Sequence, residues 1–168
     1  MHSHIWKHQS VGQNELIHEK KMLHLWIRAE QRQNEKRVGI TPADTSKLIN
    51  AGIKVTVEES PDRIISTEEY YKAGSEIAKQ HAWPRAPKNT IILGLKELPE
   101  DLGIIEHKHI MFGHAFKGQT AGRKLLKKFK AGKGVLYDLE YLTDPQGRRL
   151  AAFGYWAGYA GAAVSLKA

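Results

Sequence analysis

The strongest constraint on this chain is the alternation of short apolar runs with well-punctuated helical segments. TIILGL (90–95) and HIMFG (109–113) are almost continuously apolar, as expected of strands buried on both faces. LHLWIR (23–28), the alternating IKVTVEE (53–59) and GVLYDLE (134–140) read as further strands. Between them lie helix signals: Thr41 as N-cap, Pro42 at the first helical position and Gly52 as the stop. Thr67-Glu68-Glu69 opens a second helix that Gly74 closes. A third runs from Gln119 to Ala131, with Leu125, Leu126 and Phe129 at helical spacing and Gly132 and Gly134 ending it. Alternation of this kind predicts an α/β fold, a mostly parallel sheet with flanking helices.

The other segments are read from composition. Residues 1–21 are polar and His-rich without periodicity and read as a flexible tail or leader; His2, His4 and His8 lack a second ligand cluster, so no metal site is expected. Met22 opens the domain, Thr143 to Gly147 is a turn, and Ala151 to Ala168 reads as a close-packed helix of small and aromatic residues. With 168 residues, 41% of them hydrophobic, the chain is long enough for one core. No run approaches the roughly 20 apolar residues of a membrane helix, and cysteine is absent, so a cytoplasmic protein with no membrane partner is expected. The formal charge is +8, much of it between Arg123 and Lys133, where no acidic residue intervenes. A solvated helix face accounts for that run better than a nucleic-acid stripe does, because no aromatic residues interleave for base stacking.

In open α/β sheets the ligand crevice lies beyond the carboxyl ends of the strands. Lys96 follows TIILGL directly and His114 follows HIMFG directly. A lysine in a dry pocket serves as a general base and a histidine titrates near neutrality, so the two could shuttle protons; a snorkelling lysine and a capped loop histidine fit the spacing equally well. Arg37 and the pair Arg148-Arg149 suit bidentate recognition of carboxylates. No G-x-G-x-x-G follows a strand and no P-loop occurs, so the nucleotide signal is missing; G-x-S-x-G and H-E-x-x-H are absent too.

Taken in order, LHLWIRAE, KRVGITP, IILGLKELPE, HIMFGHAFKGQ, GVLYDLEYL and QGRRLAAFGYWAGYAGAA resemble the N-terminal part of the lysine-forming saccharopine dehydrogenases, relatives of the alanine dehydrogenase and transhydrogenase N-terminal domains. The resemblance covers Met22 to about Ala163. It implies an oxidoreductase that interconverts saccharopine, NAD and water with lysine, 2-oxoglutarate and NADH, in the aminoadipate route to lysine. Lys96 falls on the general base and His114 on the general acid, with Glu97 and Glu140 as the acidic neighbours that tune them. Arg37, Gln119, Arg149 and Phe153 match substrate-contacting positions, and Arg148 matches one that touches the nicotinamide nucleotide. Arg32 stands where the motif often has Lys, and a planar guanidinium is not equivalent to an ammonium.

The family continues into a Rossmann domain and returns to complete the first, so residues 22–150 are expected to be an incomplete substrate domain. Residues 151–168 then start the helix leading to an absent NAD-binding domain, leaving an apolar patch at Phe153, Trp156 and Tyr159. The chain alone is expected to be an inactive fragment. The alternative is a stand-alone, non-catalytic module that binds an amino acid or dicarboxylate, or that pairs with a separately encoded NAD-binding half.

Overall fold

A computed structural model describes residues 22–166 apart from Lys117, Gln119 and Phe153, together with the backbone but not the side chain of Trp156. Six strands, β1 (His24–Ile27), β2 (Lys54–Glu58), β3 (Glu76–Ala78), β4 (Ile91–Leu93), β5 (Lys108–Met111) and β6 (Val135–Asp138), form one sheet in the order β3-β2-β1-β4-β5-β6. Every pairing is parallel. The order reverses between β1 and β4, which opens a crevice beyond their carboxyl ends.

Among the described residues four α-helices accompany the strands: α1 (Pro42–Asn50), α2 (Thr67–Lys72), α3 (Thr120–Gly132) and α4 (Gly154–Ser165). Thr41 caps α1, its side chain accepting from the Asp44 amide, and Ser66 closes a reciprocal capping box with Glu69 at the start of α2. Leu48 and Ile49 of α1 and Tyr70 of α2 pack on Leu25, Ile27, Val55, Val57 and Leu93. On the opposite face Phe129 and Leu125 of α3 meet Trp83, Ile92, Ile105 and Met111. The neighbours Ile92 and Leu93 thus serve different cores, as the two-residue period of a strand requires.

The structure corrects several expectations. IKVTVEE forms β2, but four of its five residues are buried, because the strand lies inside the sheet and not at a half-wet face. SEIAK contributes the edge strand β3, too short and polar to register as a strand, and HAWPRAPK contains a 3-10 turn at Trp83–Arg85 whose tryptophan is buried. At the end of α3 the left-handed residue is Lys133 (φ 57°), not a glycine. Gly132 and Gly134 instead lie against backbone: a Cβ would come within 2.8 Å of Ile105 N in one case and of His107 O in the other. Ala151 to Ala168 does contain a helix, but α4 is not close-packed: its described side chains are exposed, Tyr155 at 78% and Tyr159 at 65%. No helix among the described residues is long and apolar enough to cross a membrane.

Candidate functional site

The candidate residues stand on the segments that leave β1, β4, β5 and β6. From β4 the chain runs through Gly94 and Leu95 to Lys96, whose side chain is 27% exposed. Lys96 Nζ stands 3.8 Å from Glu35 Oε2, in the loop after β1. The same carboxylate takes two hydrogen bonds from the Arg37 guanidinium, Nε to Oε1 at 2.8 Å and Nη2 to Oε2 at 2.6 Å, and a third from the Arg37 amide at 3.0 Å. Those bonds, with Lys96 adding attraction, hold the Glu35 carboxyl at about 2, far below its ordinary value. One nearly buried carboxylate thus gathers the lysine and the first of the three candidate arginines.

A second cluster follows β5 and β6. His114 has φ 46°, a left-handed conformation uncommon outside glycine, and its ring stacks beside Phe112. His114 Nδ1 lies 3.5 Å from Glu140 Oε2, and Arg149 Nη1 lies 3.1 Å from Glu140 Oε1. Asp138 supports both sides of this cluster, its Oδ1 accepting from the Gly113 amide at 3.2 Å and the Glu140 amide at 3.0 Å. The two clusters therefore share one plan: a proton-transfer candidate and an arginine on either side of a carboxylate. Since β4 and β5 are paired neighbours, with Leu93 opposite Ile110, they rise from adjacent strands.

The other expected residues are placed differently. Glu97 turns to Arg32, its carboxylate 2.6 Å from Nη1 in an exposed pair, so the carboxylate within reach of Lys96 is Glu35 instead. Arg148 is tied to its own turn, its Nε donating to Asp144 Oδ2 at 2.7 Å and its amide to Oδ1 at 2.8 Å, with 80% of its side chain exposed. Gln119 and Phe153 lie outside the described residues, as do residues 1–21. A groove of about 530 Å³ beside His114 is lined by Arg32, Glu97, Gly113, Gly122, Lys124 and Lys128.

Sequence reasoning missed Glu35, and also Arg28 and Glu30. The last two had a readable signal, because they follow β1 just as Lys96 follows β4, at a carboxyl end facing the crevice. Glu35 had none beyond its closeness to Arg37 in the sequence.

A dinucleotide does not fit the described residues as a resident group. They contain no glycine-rich turn between a strand and a helix, and Arg148, the residue expected to touch it, is engaged with Asp144.

The comparisons with known proteins agree with this architecture. The family model "Alanine dehydrogenase/PNT, N-terminal domain" matches residues 26–160. The saccharopine dehydrogenase [NAD(+), L-lysine-forming] of Emericella nidulans is 49% identical over 144 residues, covering 85% of this chain and 38% of the relative. That of Schizosaccharomyces pombe is 46% identical over 143 residues, covering 84% and 39%. The mitochondrial alpha-aminoadipic semialdehyde synthase of Bos taurus is 33% identical over 127 residues, 76% of this chain and 13% of the relative. The chain thus spans well under half the length of the curated relatives it matches. Among solved structures, a transhydrogenase from Sinorhizobium meliloti aligns with a TM-score of 0.56 at 19% identity, covering 70% of this chain and 35% of that one. An L-alanine dehydrogenase aligns with a TM-score of 0.56 at 17% identity, covering 74% and 34%. These two likenesses share the fold.

Proposed function

The chain belongs to the alanine dehydrogenase/PNT N-terminal domain family, and from that premise we propose that it is the substrate-binding part of a lysine-forming saccharopine dehydrogenase. The observation that carries the reading is the pair of carboxylate-bridged clusters, Lys96–Glu35–Arg37 and His114–Glu140–Arg149, at adjacent strand ends. Saccharopine carries three carboxylates, and Arg37 and Arg149, each about half exposed, are forked donors suited to two of them.

Hydride acceptance is what nicotinamide supplies when bound, through the part of the enzyme that these residues do not form. What this chain handles is protons. Breaking saccharopine into lysine and 2-oxoglutarate requires water to add to a carbon–nitrogen double bond and the amine to leave protonated. Lys96 is the base that takes the proton from that water, and His114 is the acid that returns one to the leaving nitrogen. Glu35 and Glu140 keep the Lys96 and His114 side chains oriented toward the crevice.

A chimera tests the reading: this chain's residues 22–163 replace the corresponding segment of the Schizosaccharomyces pombe saccharopine dehydrogenase, to which it is 46% identical. NADH oxidation with lysine and 2-oxoglutarate should be retained and should fall about 10²- to 10⁴-fold in Lys96→Met and in His114→Gln. A folded chimera that binds 2-oxoglutarate without turnover would favour a binding module instead. A folded chimera with neither property would sink both readings.

A further inference from the structure

Lys96 is held from both sides by its backbone. Its amide donates to Glu30 Oε2 at 3.1 Å, the preceding Leu95 amide donates to Oε1 of the same carboxylate at 2.6 Å, and its carbonyl accepts from Arg28 Nη2. Arg28 also ties into the sheet, its own amide donating to Leu93 O at 3.0 Å. Both holding residues come from the segment after β1, so the strands on either side of the switch point are locked at the place where Lys96 leaves the sheet.

The arrangement is costly for a mere loop tie. The Arg28 side chain is fully buried, its Nη1 3.3 Å from Glu30 Oε2, while its Nε is left without a hydrogen-bond partner. Burying a guanidinium requires partners for its charge and fork, and neutral groups could close the same loop at less cost. The space it occupies also leaves no room for a side chain on its neighbour Gly94 while the guanidinium stays in place. A Cβ on Gly94 would stand 2.6 Å from Arg28 Nη2 and nearer still to Cζ and Nε, so a side chain at position 94 would displace the guanidinium from this place.

We propose that Arg28 and Glu30 are positioning residues for Lys96, fixing its backbone so that Nζ is delivered into the crevice beside Glu35. The inference rests on the reading of Lys96 as the general base. It accounts for three otherwise separate features: a fully buried arginine, a carboxylate bonded to two consecutive backbone amides, and a glycine two residues before the lysine where a Cβ would meet the guanidinium.

The test is competitive acetylation of the full 168-residue chain with acetic anhydride, resolved peptide by peptide. The rate at Lys96 is compared with that at Lys54, a lysine of similar exposure paired with Glu76 and remote from the crevice. Glu30→Gln, which keeps volume and one acceptor oxygen, and Arg28→Lys, which keeps charge but not the fork, should each raise the Lys96 to Lys54 ratio about threefold or more by releasing the loop locally. A ratio unchanged in variants that still melt cooperatively overturns the proposal. So does loss of the cooperative melt in Glu30→Gln, which would make the pair a requirement of folding and not of placement. In the active chimera Glu30→Gln should lower kcat on the order of tenfold with KM within about twofold. Failure of the base reading is seen separately: Lys96→Met would then leave turnover intact, whatever the acetylation ratio reports.

Discussion

Glu35 places one carboxylate oxygen 3.8 Å from Lys96 Nζ and, on the same oxygen, 2.6 Å from Arg37 Nη2. The side chain of the carboxylate is nearly buried while that of its arginine is half exposed. Glu35→Gln should reduce stability by about 1–2 kcal/mol near neutral pH, allowing for a hydrogen-bonded charge with a solvent-screened partner. The sign of the pH dependence follows from the depressed carboxyl, about 2 against an ordinary 4.5. Its stabilisation is present above pH 4.5 and is lost as the pH falls toward 2. Thermal melts of both proteins from pH 7 to pH 2 should therefore converge at the acid end.

His109 gives a second acid sensitivity in a different window. It is 1% exposed, edge-on to Trp83 at 4.9 Å and to Phe129 at 5.5 Å, with Nε2 unpartnered. Burial first, then the charge of Arg28 and the neighbouring His107, push it down to about 3 from 6.5. The unfolded chain then binds more protons than the folded one between these values. Stability is full above pH 6.5 and falls by up to about 1.4 kcal/mol per pH unit as the pH drops below it. His109→Leu should flatten the melting temperature between pH 6 and pH 5, and an unchanged slope would show that other groups set it.

Glu140 joins His114 to Arg149, so its loss should disturb both. In the chimera Glu140→Gln is expected to lower kcat and to raise KM for 2-oxoglutarate, whereas Arg149→Met should act mainly on KM, by about tenfold or more. Steady-state kinetics with each substrate varied in turn would separate the two patterns.

Glu58, at the end of β2, is the structural counterpart of these acids. Its carboxylate accepts from Trp26 Nε1 and from the amides of Ala29, His81 and Trp83, at 2.6 to 3.0 Å, with no exposure. Glu58→Ala leaves four donors, two buried and two part-buried, without their acceptor and should cost at least about 3 kcal/mol. Denaturant titration would read this as a lower midpoint.

A polypeptide limited to residues 22–166 should consume no NADH with lysine and 2-oxoglutarate, because those residues carry no glycine-rich strand-turn-helix to position a nicotinamide. Measurable turnover by the purified polypeptide would refute this.

By itself the sequence determined the parallel α/β architecture. Apolar runs near 91–93 and 108–111 and the Thr41-Pro42 start of α1 are local signals, written in hydrophobic period and capping chemistry that neighbouring residues cannot override. It also placed Lys96 and His114 at strand ends. Only the tertiary structure decided what surrounds them. Glu35, not the adjacent Glu97, faces Lys96, because the loop after β1 folds back across the switch point while Glu97 pairs outward with Arg32. Arg28 and Glu30 grip the Lys96 backbone across 68 and 66 residues of chain, and such contacts leave no periodic trace in a sequence. The exposure of α4 and the burial of β2 were hidden for the same reason: burial depends on which elements pack against a segment, and its own residues carry only half of that information.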